Sequence, residues 1–187
     1  MFNIFSSDST PNISRLKARR DINGLLDALH RMDNLSLAQQ AASALEELNW
    51  QPEEDEDGAA YWIARGAWNE CVRAGVRGVE PLLGSLRVHS RAVEAAGNFQ
   101  KAAIHINAIQ EAIKALVRIG SPAVQRLVDA LSDKDIFEPV SEALVKIGAP
   151  SVQPLLYNLR DAGEYDLVDI PRVLDNLGWH PDRSEVS

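Results

Sequence analysis

The chain has 187 residues, is 45% hydrophobic and carries a formal net charge of −8, so it can bury a core of its own. The acidic balance argues against a nucleic-acid-binding protein, because such proteins normally present a basic stripe to the phosphates. A single cysteine, Cys71, excludes an internal disulfide framework and fits a reducing compartment.

The N-terminal segment, residues 1–11, is expected to be flexible. It begins with mostly apolar residues but turns at once to Ser6, Ser7, Asp8 and Ser9. It lacks the positive region and the long apolar stretch of a signal peptide. No run in the chain approaches the roughly 18 apolar residues of a membrane span, so a cytoplasmic protein is expected.

From residue 12 onward the chain repeats one short motif. Residues 120–131, which read Gly-Ser-Pro-Ala-Val-Gln-Arg-Leu-Val-Asp-Ala-Leu, recur in recognisable form at 148–159 and more weakly at 75–86. Each copy follows a helical run, so the repeating unit contains two helices. Such a repeat predicts an all-α solenoid, an architecture that provides an extended surface.

The first helix of each unit is predicted to end at a glycine or an asparagine. Apolar residues precede these positions at spacings of three and four, which indicates one helix face. Glycine and asparagine adopt the left-handed conformation at the least steric cost. The five predicted ends are Asn49, Gly75, Gly120, Gly148 and Gly178. In the same alignment Cys71 takes the place of Leu116 and Leu144, so it is expected to be a small buried apolar residue.

The second helix of a unit is predicted to open near Pro122 or Pro150, because a proline in the first turn loses no hydrogen bond. Apolar residues then recur at positions 1, 4, 5 and 8, which places them on one helix face. These residues are Val124, Leu127, Val128 and Leu131, then Val152, Leu155, Leu156 and Leu159, and near the N-terminus Ile22, Leu25, Leu26 and Leu29. At least four second helices and five first helices are thus expected.

Two stretches depart from the regular spacing. The predicted ends at Gly75 and Gly120 are 45 residues apart, whereas the other intervals are 26 to 30 residues. The excess falls in 88–106, an alanine-rich stretch with a break at Gly97, and either a long first helix or a helical insertion explains it. The stretch 49–70 is the second irregular place.

The domain organisation follows from these spacings. One helical-repeat domain is expected over 12–180, followed by a flexible tail at 181–187. The helix that ends at Gly178 has no second helix after it, so we expect it to cap the array.

The motif Gly-x-Pro-x-Val-x-x-Leu-[Leu/Val]-x-x-Leu, present twice over 112–160, resembles the HEAT-like repeats of the phycobilisome-lyase type. Residues 16–29 and 48–68 also resemble a group of prokaryotic HEAT-repeat proteins. The resemblance implies a short right-handed α-α superhelix of about five repeats that mainly binds other proteins. The family it resembles includes bilin-lyase subunits as well as scaffolds.

An acidic run, Glu-Glu-Asp-Glu-Asp, occupies residues 53–57. It is a hypothetical site for a divalent cation or a basic peptide, although its spacing does not match a calcium loop. We favour a structural role, in which Pro52 opens a helix and the carboxylates lie over its positive end.

Four aromatic residues, Trp50, Tyr61, Trp62 and Trp68, surround this run. They form either a binding surface, since interface hot spots favour Trp and Tyr, or the packing of the irregular second repeat. Packing is the favoured interpretation, and Trp62 is kept as a candidate for contact with a protein partner.

The sequence indicates no catalytic residue, no metal site and no cofactor. The histidines, His30, His89, His105 and His180, show no metal-ligand spacing, and no phosphate loop or nucleophile–base arrangement stands out. The chain is therefore expected not to be an enzyme.

The second helices are expected to line the concave face, as in HEAT-like solenoids generally. Their polar positions mix charged, small and amide side chains without a stripe of one sign, so a solvated face and a peptide-binding groove both stay open. The candidate protein-binding residues are Asp27, Arg87, Asp129, Tyr157, Asn158 and Arg160, together with Trp62.

Three classes of function compete at this point. The leading hypothesis is a non-catalytic scaffold that binds a protein or peptide but neither nucleic acid nor a membrane. The alternative, implied by the resemblance, is a bilin-lyase-like or chaperone-like subunit that acts with a partner chain, for which a second HEAT-like chain is a candidate. A HEAT-like DNA glycosylase is disfavoured, because it needs a basic groove and the net charge is −8.

Overall fold

The computed structural model describes residues 11–31, 34–161 and 166–180, the side chains of residues 161 and 166–168 excepted. Over these ranges all regular secondary structure is helical, as the repeats predict. The expected flexible segments, 1–11 and 181–187, lie outside the described residues apart from Pro11. None of the described helices is long and apolar enough to cross a membrane.

The α-helices of the described chain are numbered here in sequence order. They are α1 (Ile13–Ala18), α2 (Ile22–His30), α3 (Leu35–Glu47), α4 (Glu56–Ala64), α5 (Trp68–Cys71), α6 (Val79–Ala95), α7 (Phe99–Ile119), α8 (Val124–Asp129), α9 (Phe137–Ile147), α10 (Val152–Asp161) and α11 (Asp166–Asn176). Short 3₁₀ segments at Val72–Gly78, Ser121–Ala123, Ala130–Ser132 and Ala149–Ser151 connect or extend them.

The helices pack in two sets that alternate along the chain. Among the odd-numbered helices, α1 packs on α3, α5 on α7 and α7 on α9, and among the even-numbered helices, α2 packs on α4 and α4 on α6. One continuous apolar core lies between the sets, with Leu25, Leu45, Leu82, Leu116 and Leu144 fully buried. A unit of two helices that buries one face against its neighbours produces this arrangement.

The five predicted helix ends all have positive φ, so these positions are confirmed. The conformation at three of them differs from the left-handed helical one that we expected, and at Gly75 φ is 57° and ψ is −130°. Gly120 has φ 71° and ψ −139°, and Gly148 has φ 81° and ψ −137°. Residues other than glycine rarely adopt these backbone angles. At Gly120 and Gly148 the angles lead the chain directly into the following 3₁₀ turn.

The prolines of the repeated motif lie in the first turn of the second helix, as predicted. Pro122 and Pro150 belong to the 3₁₀ turns that lead into α8 and α10. In the latter turn the buried Ser151 hydroxyl donates to the Leu144 carbonyl at 2.9 Å, which ties the start of one helix to the end of the previous one. The Leu144 carbonyl also accepts from the Gly148 backbone amide at 3.0 Å, so the hydroxyl adds a second hydrogen bond at the end of α9.

The helix after the acidic run begins later than we expected. Asp55, rather than Pro52, precedes α4, and its Oδ1 accepts a hydrogen bond from the Gly58 amide at 2.8 Å. This carboxylate caps the helix, and Glu56 and Asp57 follow in the first turn, where a negative charge is favourable. The structural role of the run is therefore confirmed, with its starting residue corrected.

The long interval between Gly75 and Gly120 contains no additional helix. Instead α6 extends over 17 residues and α7 over 21, and the chain turns between them at 96–98. The break at Gly97 is thus confirmed. The excess length is divided between a long second helix and a long first helix, which form an extended hairpin.

The first helix of the unit before this hairpin is unusually short. Its α-helical part, α5, has four residues, Trp68–Cys71, and continues only as a 3₁₀ segment. By contrast, its odd-numbered neighbours α3 and α7 have 13 and 21 residues. A short helix beside two longer ones leaves part of their surface uncovered.

Candidate functional site

The candidate protein-binding residues predicted on the even-numbered helices are only partly exposed. Asp27, Asp129, Tyr157 and Arg160 are exposed to differing degrees, and Tyr157 is 69% exposed. Asn158 is partly buried. The neighbouring positions of the same pattern, Ala28, Ser85 and Ala130, are buried in the core.

Two of these candidates, both charged, form hydrogen bonds within the protein. Arg87 donates through Nε to Asp133 Oδ2 at 2.6 Å, and Asp129 accepts from the Gln125 amide at 2.9 Å. Neither Arg87 nor Asp129 can therefore bind a partner without losing an internal contact. Isolated side chains such as Tyr157 remain available along this face.

Trp62 is buried, with 8% of its surface exposed, which corrects its placement among the candidate surface residues. It belongs to the core, because the face of α4 that carries Ala59 and Ile63 also packs inward. Trp50 and Tyr61 stack edge to face with ring centres 5.5 Å apart. The packing interpretation therefore holds for these three residues.

Cys71 is fully buried at the predicted core position. Burial raises the pKa of its thiol to about 12, and the charge of Glu70 adds to the effect. A thiol with such a pKa stays protonated at neutral pH and is a poor nucleophile.

The carboxylates of the acidic run have partners within the protein. Asp57 contacts His30 Nε2 at 2.6 Å, and Glu54 forms an ion pair with Arg73 at 2.6 Å. Within the described residues no three His, Cys, Asp or Glu side chains cluster in a way that could hold a metal ion.

An elongated concave surface runs along one face of α7. Three adjoining cavities of about 300, 420 and 290 Å³ line up there and share Trp68. We call this surface the Trp68 groove. Its floor consists of Ile104, Asn107, Ala108, Glu111, Ala115 and Arg118, and its opposite wall consists of α3, residues 63–69 and Lys146 of α9.

The floor of the Trp68 groove follows the helical period. From Ile104 to Arg118 these six residues lie within an arc of about 100° on α7. A full-length first helix would cover this arc. The four-residue α5 covers only its middle, where Trp68 and Asn69 lie.

The two ends of the Trp68 groove differ in chemistry. Near the hairpin the lining includes Leu35, Ile63 and Ile104, the last of which is 73% exposed, together with the polar residues Gln39, Arg65 and Asn107. We call this the apolar end, after the exposed Ile104. At the opposite end the lining carries three cations, Lys114, Arg118 and Lys146.

Internal carboxylates balance these cations only in part. Lys114 pairs with Glu111 at 2.7 Å and Lys146 with Glu142 at 2.6 Å. Arg118 donates to the neutral amide oxygen of Asn69, and it forms no ion pair with another described residue. This end of the groove is thus basic in a chain whose net charge is −8.

A pair of histidines underlies the apolar end of the groove. The Nδ1 atoms of His89 and His105 are 2.9 Å apart, and the His89 ring lies 6.5 Å from that of Trp68. Burial lowers the pKa of His89 to about 4, and the charge of His105 acts in the same direction. Each histidine is eight residues from Gly97, and this symmetry would have revealed the pair once the hairpin was recognised.

The comparisons with known proteins concern one repeat. No curated protein and no solved structure matches the chain. Residues 110–133, which comprise the second half of α7, the turn at Gly120 and α8, match the family model described as PBS lyase HEAT-like repeat. The resemblance that the motif indicated is thereby confirmed, and this segment of the chain is similar to the repeats of that family.

Proposed function

We propose that the chain is a non-catalytic scaffold that binds another protein or a peptide through the surface of its helical repeats. In this proposal its helices form a short right-handed superhelix of about five HEAT-like repeats in the cytoplasm. The observation that carries the proposal is the Trp68 groove, where a shortened α5 leaves one face of α7 open beside a partly exposed tryptophan. Tryptophan is among the residues that dominate binding energy at protein interfaces.

The dimensions of the groove favour a polypeptide over a small molecule. From Ile104 to Arg118 the floor extends over 14 residue steps, or about 21 Å along a helix that rises 1.5 Å per residue. An elongated, shallow groove of this kind is typical of helix-in-groove recognition. The net charge of −8 opposes binding to nucleic acid or to an anionic membrane.

The chemistry of the described residues supports a role without catalysis. The thiol of Cys71, a potential nucleophile, is buried and its pKa is raised to about 12. The acidic run serves to cap α4, to contact His30 and to form an ion pair with Arg73.

Site-specific photocrosslinking in native cell extract tests this function. A photoreactive phenylalanine analogue would replace Asn107 in the groove, Tyr157 on the even-numbered helices, or Gln100 at the hairpin. We expect at least one position to yield a defined protein adduct, and the purified partner should then bind the unmodified chain. Absence of adducts at all three positions, or failure of every captured protein to bind when purified, would contradict the proposal.

A bilin-lyase-like subunit is the second candidate, and the match of residues 110–133 to the PBS lyase HEAT-like repeat favours it. Such a subunit could act together with a second HEAT-like chain. Coexpression with a bilin source distinguishes this function, because a bound tetrapyrrole would give the purified chain a visible absorbance. A colourless product, with or without a coexpressed partner chain, would rule against it.

A further inference from the structure

Granting the proposed binding function, we infer that the partner segment in the Trp68 groove is an amphipathic helix with an apolar half and an acidic half. The apolar half packs against Ile104 and Trp68, and the acidic half faces Arg118 and Lys146. The groove thereby selects both the composition and the direction of its partner.

The space for a helix follows from the lengths of the odd-numbered helices. The four-residue α5 and the 3₁₀ segment that follows it pack on α7, but together they are much shorter than the 21 residues of α7. The uncovered arc of α7 presents residues at spacings of three and four, which are the ridges and grooves that a second helix packs into. A partner helix of about four turns matches the 21 Å of this floor.

The apolar half of the partner follows from the side chains at the hairpin end. Ile104 is 73% exposed, and the partly exposed Leu35 lines the same cavity. Ala108 is small and buried beneath them, so it permits a close approach of another helix. Covering these side chains with apolar groups removes their surface from water, which is favourable.

The acidic half follows from the charges along the lining. Three cations, Lys114, Arg118 and Lys146, line the basic end together with one carboxylate, Glu111. Because Lys114 pairs with Glu111 and Lys146 with Glu142, the positive charge of Arg118 is left without a carboxylate partner among the described residues, in a chain whose overall charge is −8. Because Arg118 is held by a neutral amide, a carboxylate from a partner would gain a charge-assisted hydrogen bond without displacing an internal ion pair.

The test uses two fluorescein-labelled synthetic helices of 15 residues with the same apolar stripe. One carries glutamates over half of its length, and the other carries lysines at the same positions. Fluorescence anisotropy measures the affinity of each helix for the whole chain. We expect the acidic helix to bind at least about tenfold more tightly than the basic one.

The double variant Arg118→Glu/Lys146→Glu should reverse this preference. Its matched control is Arg126→Glu/Arg172→Glu, which changes the net charge by the same amount at exposed residues outside the groove. The control should keep the preference for the acidic helix. Ile104→Ser, at an exposed position, should weaken the acidic helix by about tenfold and leave the thermal melting temperature unchanged.

Several results would overturn the inference. These are equal affinities for the two helices, no binding of either helix, or an equal loss in the groove variant and its control. A concentration-dependent dimer that Arg118→Glu/Lys146→Glu dissolves would show instead that a second copy occupies the groove. If crosslinking captures a partner at residue 157 while neither helix binds, the result supports the scaffold function and contradicts the helix-binding role of the groove.

Discussion

His89 and His105 are joined through their Nδ1 atoms at 2.9 Å, across the hairpin formed by α6 and α7. One ring must supply the proton and the other a bare nitrogen, so the pair is incompatible with two protonated rings. The hydrogen bond lies behind Trp68 and the apolar end of the groove. Because a second proton on the pair would break it, the packing of the hairpin depends on pH.

The stability of the protein should therefore fall as the pH is lowered from about 6.5 to 4. Burial lowers the folded-state pKa of His89 to about 4, below the ordinary value of 6.5. Between these values the unfolded chain binds more protons than the folded one, so acid favours unfolding. The loss attributable to His89 is on the order of 2–3 kcal/mol. Urea unfolding at several pH values should show a shallower acid loss in His89→Gln than in the native chain, whereas the exposed His180→Gln should behave like the native chain. An identical pH dependence in all three proteins would contradict this assignment.

Replacement of Ser85 by Ala should stabilise the protein by about 1 kcal/mol. Its hydroxyl is fully buried and finds no hydrogen-bond partner among the described residues, and the equivalent positions in two other units are Ala28 and Ala130. Ser151→Ala is the matched control, because that hydroxyl donates to Leu144 and its loss should destabilise by about 1 kcal/mol. Chemical denaturation measures the free energy of unfolding of both variants. Changes of the same sign would contradict the difference predicted between Ser85 and Ser151.

Any side chain at Gly148 should strain the backbone of the turn. Its φ of 81° and ψ of −137° lie in a region that other residues avoid, although a Cβ added at this position would meet no atom within 4 Å. Gly148→Ala should therefore cost about 1–3 kcal/mol through backbone strain alone. Gly97→Ala, which also meets no atom within 4 Å and lies in the hairpin turn, serves as the control and should be near neutral. Equal melting temperatures for the two variants would argue against strain at Gly148.

The inward and outward faces of α10 should respond very differently to truncation. Leu155 is fully buried, whereas Tyr157 is 69% exposed two residues later. Leu155→Ala should cost about 2–5 kcal/mol, and Tyr157→Ala should change stability by less than about 0.5 kcal/mol. Similar losses in the two variants would mean that the register of α10 is different.

Cys71 should be unreactive in the folded protein. The thiol is buried, and its pKa is raised to about 12, so the thiolate is scarce at every pH at which the protein is handled. A disulfide reagent at pH 8 should label it at the rate of unfolding, and completely once denaturant is added. Rapid labelling of the native chain would show that this position opens to solvent.

The helix ends were predictable because they depend on local backbone chemistry. A glycine or asparagine after an apolar spacing of three and four predicted positive φ at five positions, among them Gly120 and Gly148. The burial of Cys71 and Leu155 followed from the same alignment, since equivalent positions in stacked units share an environment.

The Trp68 groove was not predictable from the repeats, because it arises where the pattern is absent. The shortness of α5 has no signature of its own, and the partial exposure of Trp68 depends on the uncovered length of α7. Likewise, Trp62 and Trp68 are both tryptophans of the same irregular unit, yet only the structure separates the buried one from the one at the groove. The contact between His89 and His105 could be predicted only with knowledge of how α6 and α7 pair in the hairpin.

The paired lengthening of α6 and α7 has a consequence for how this chain can vary. Both arms of the hairpin grow away from the turns at Gly75 and Gly120, so their length can change by matched insertions without altering either junction. One unit can thus be resized while its neighbours keep their own geometry. The elongated hairpin is thus a place at which the floor of the Trp68 groove can lengthen or shorten without moving the turns at Gly75 and Gly120.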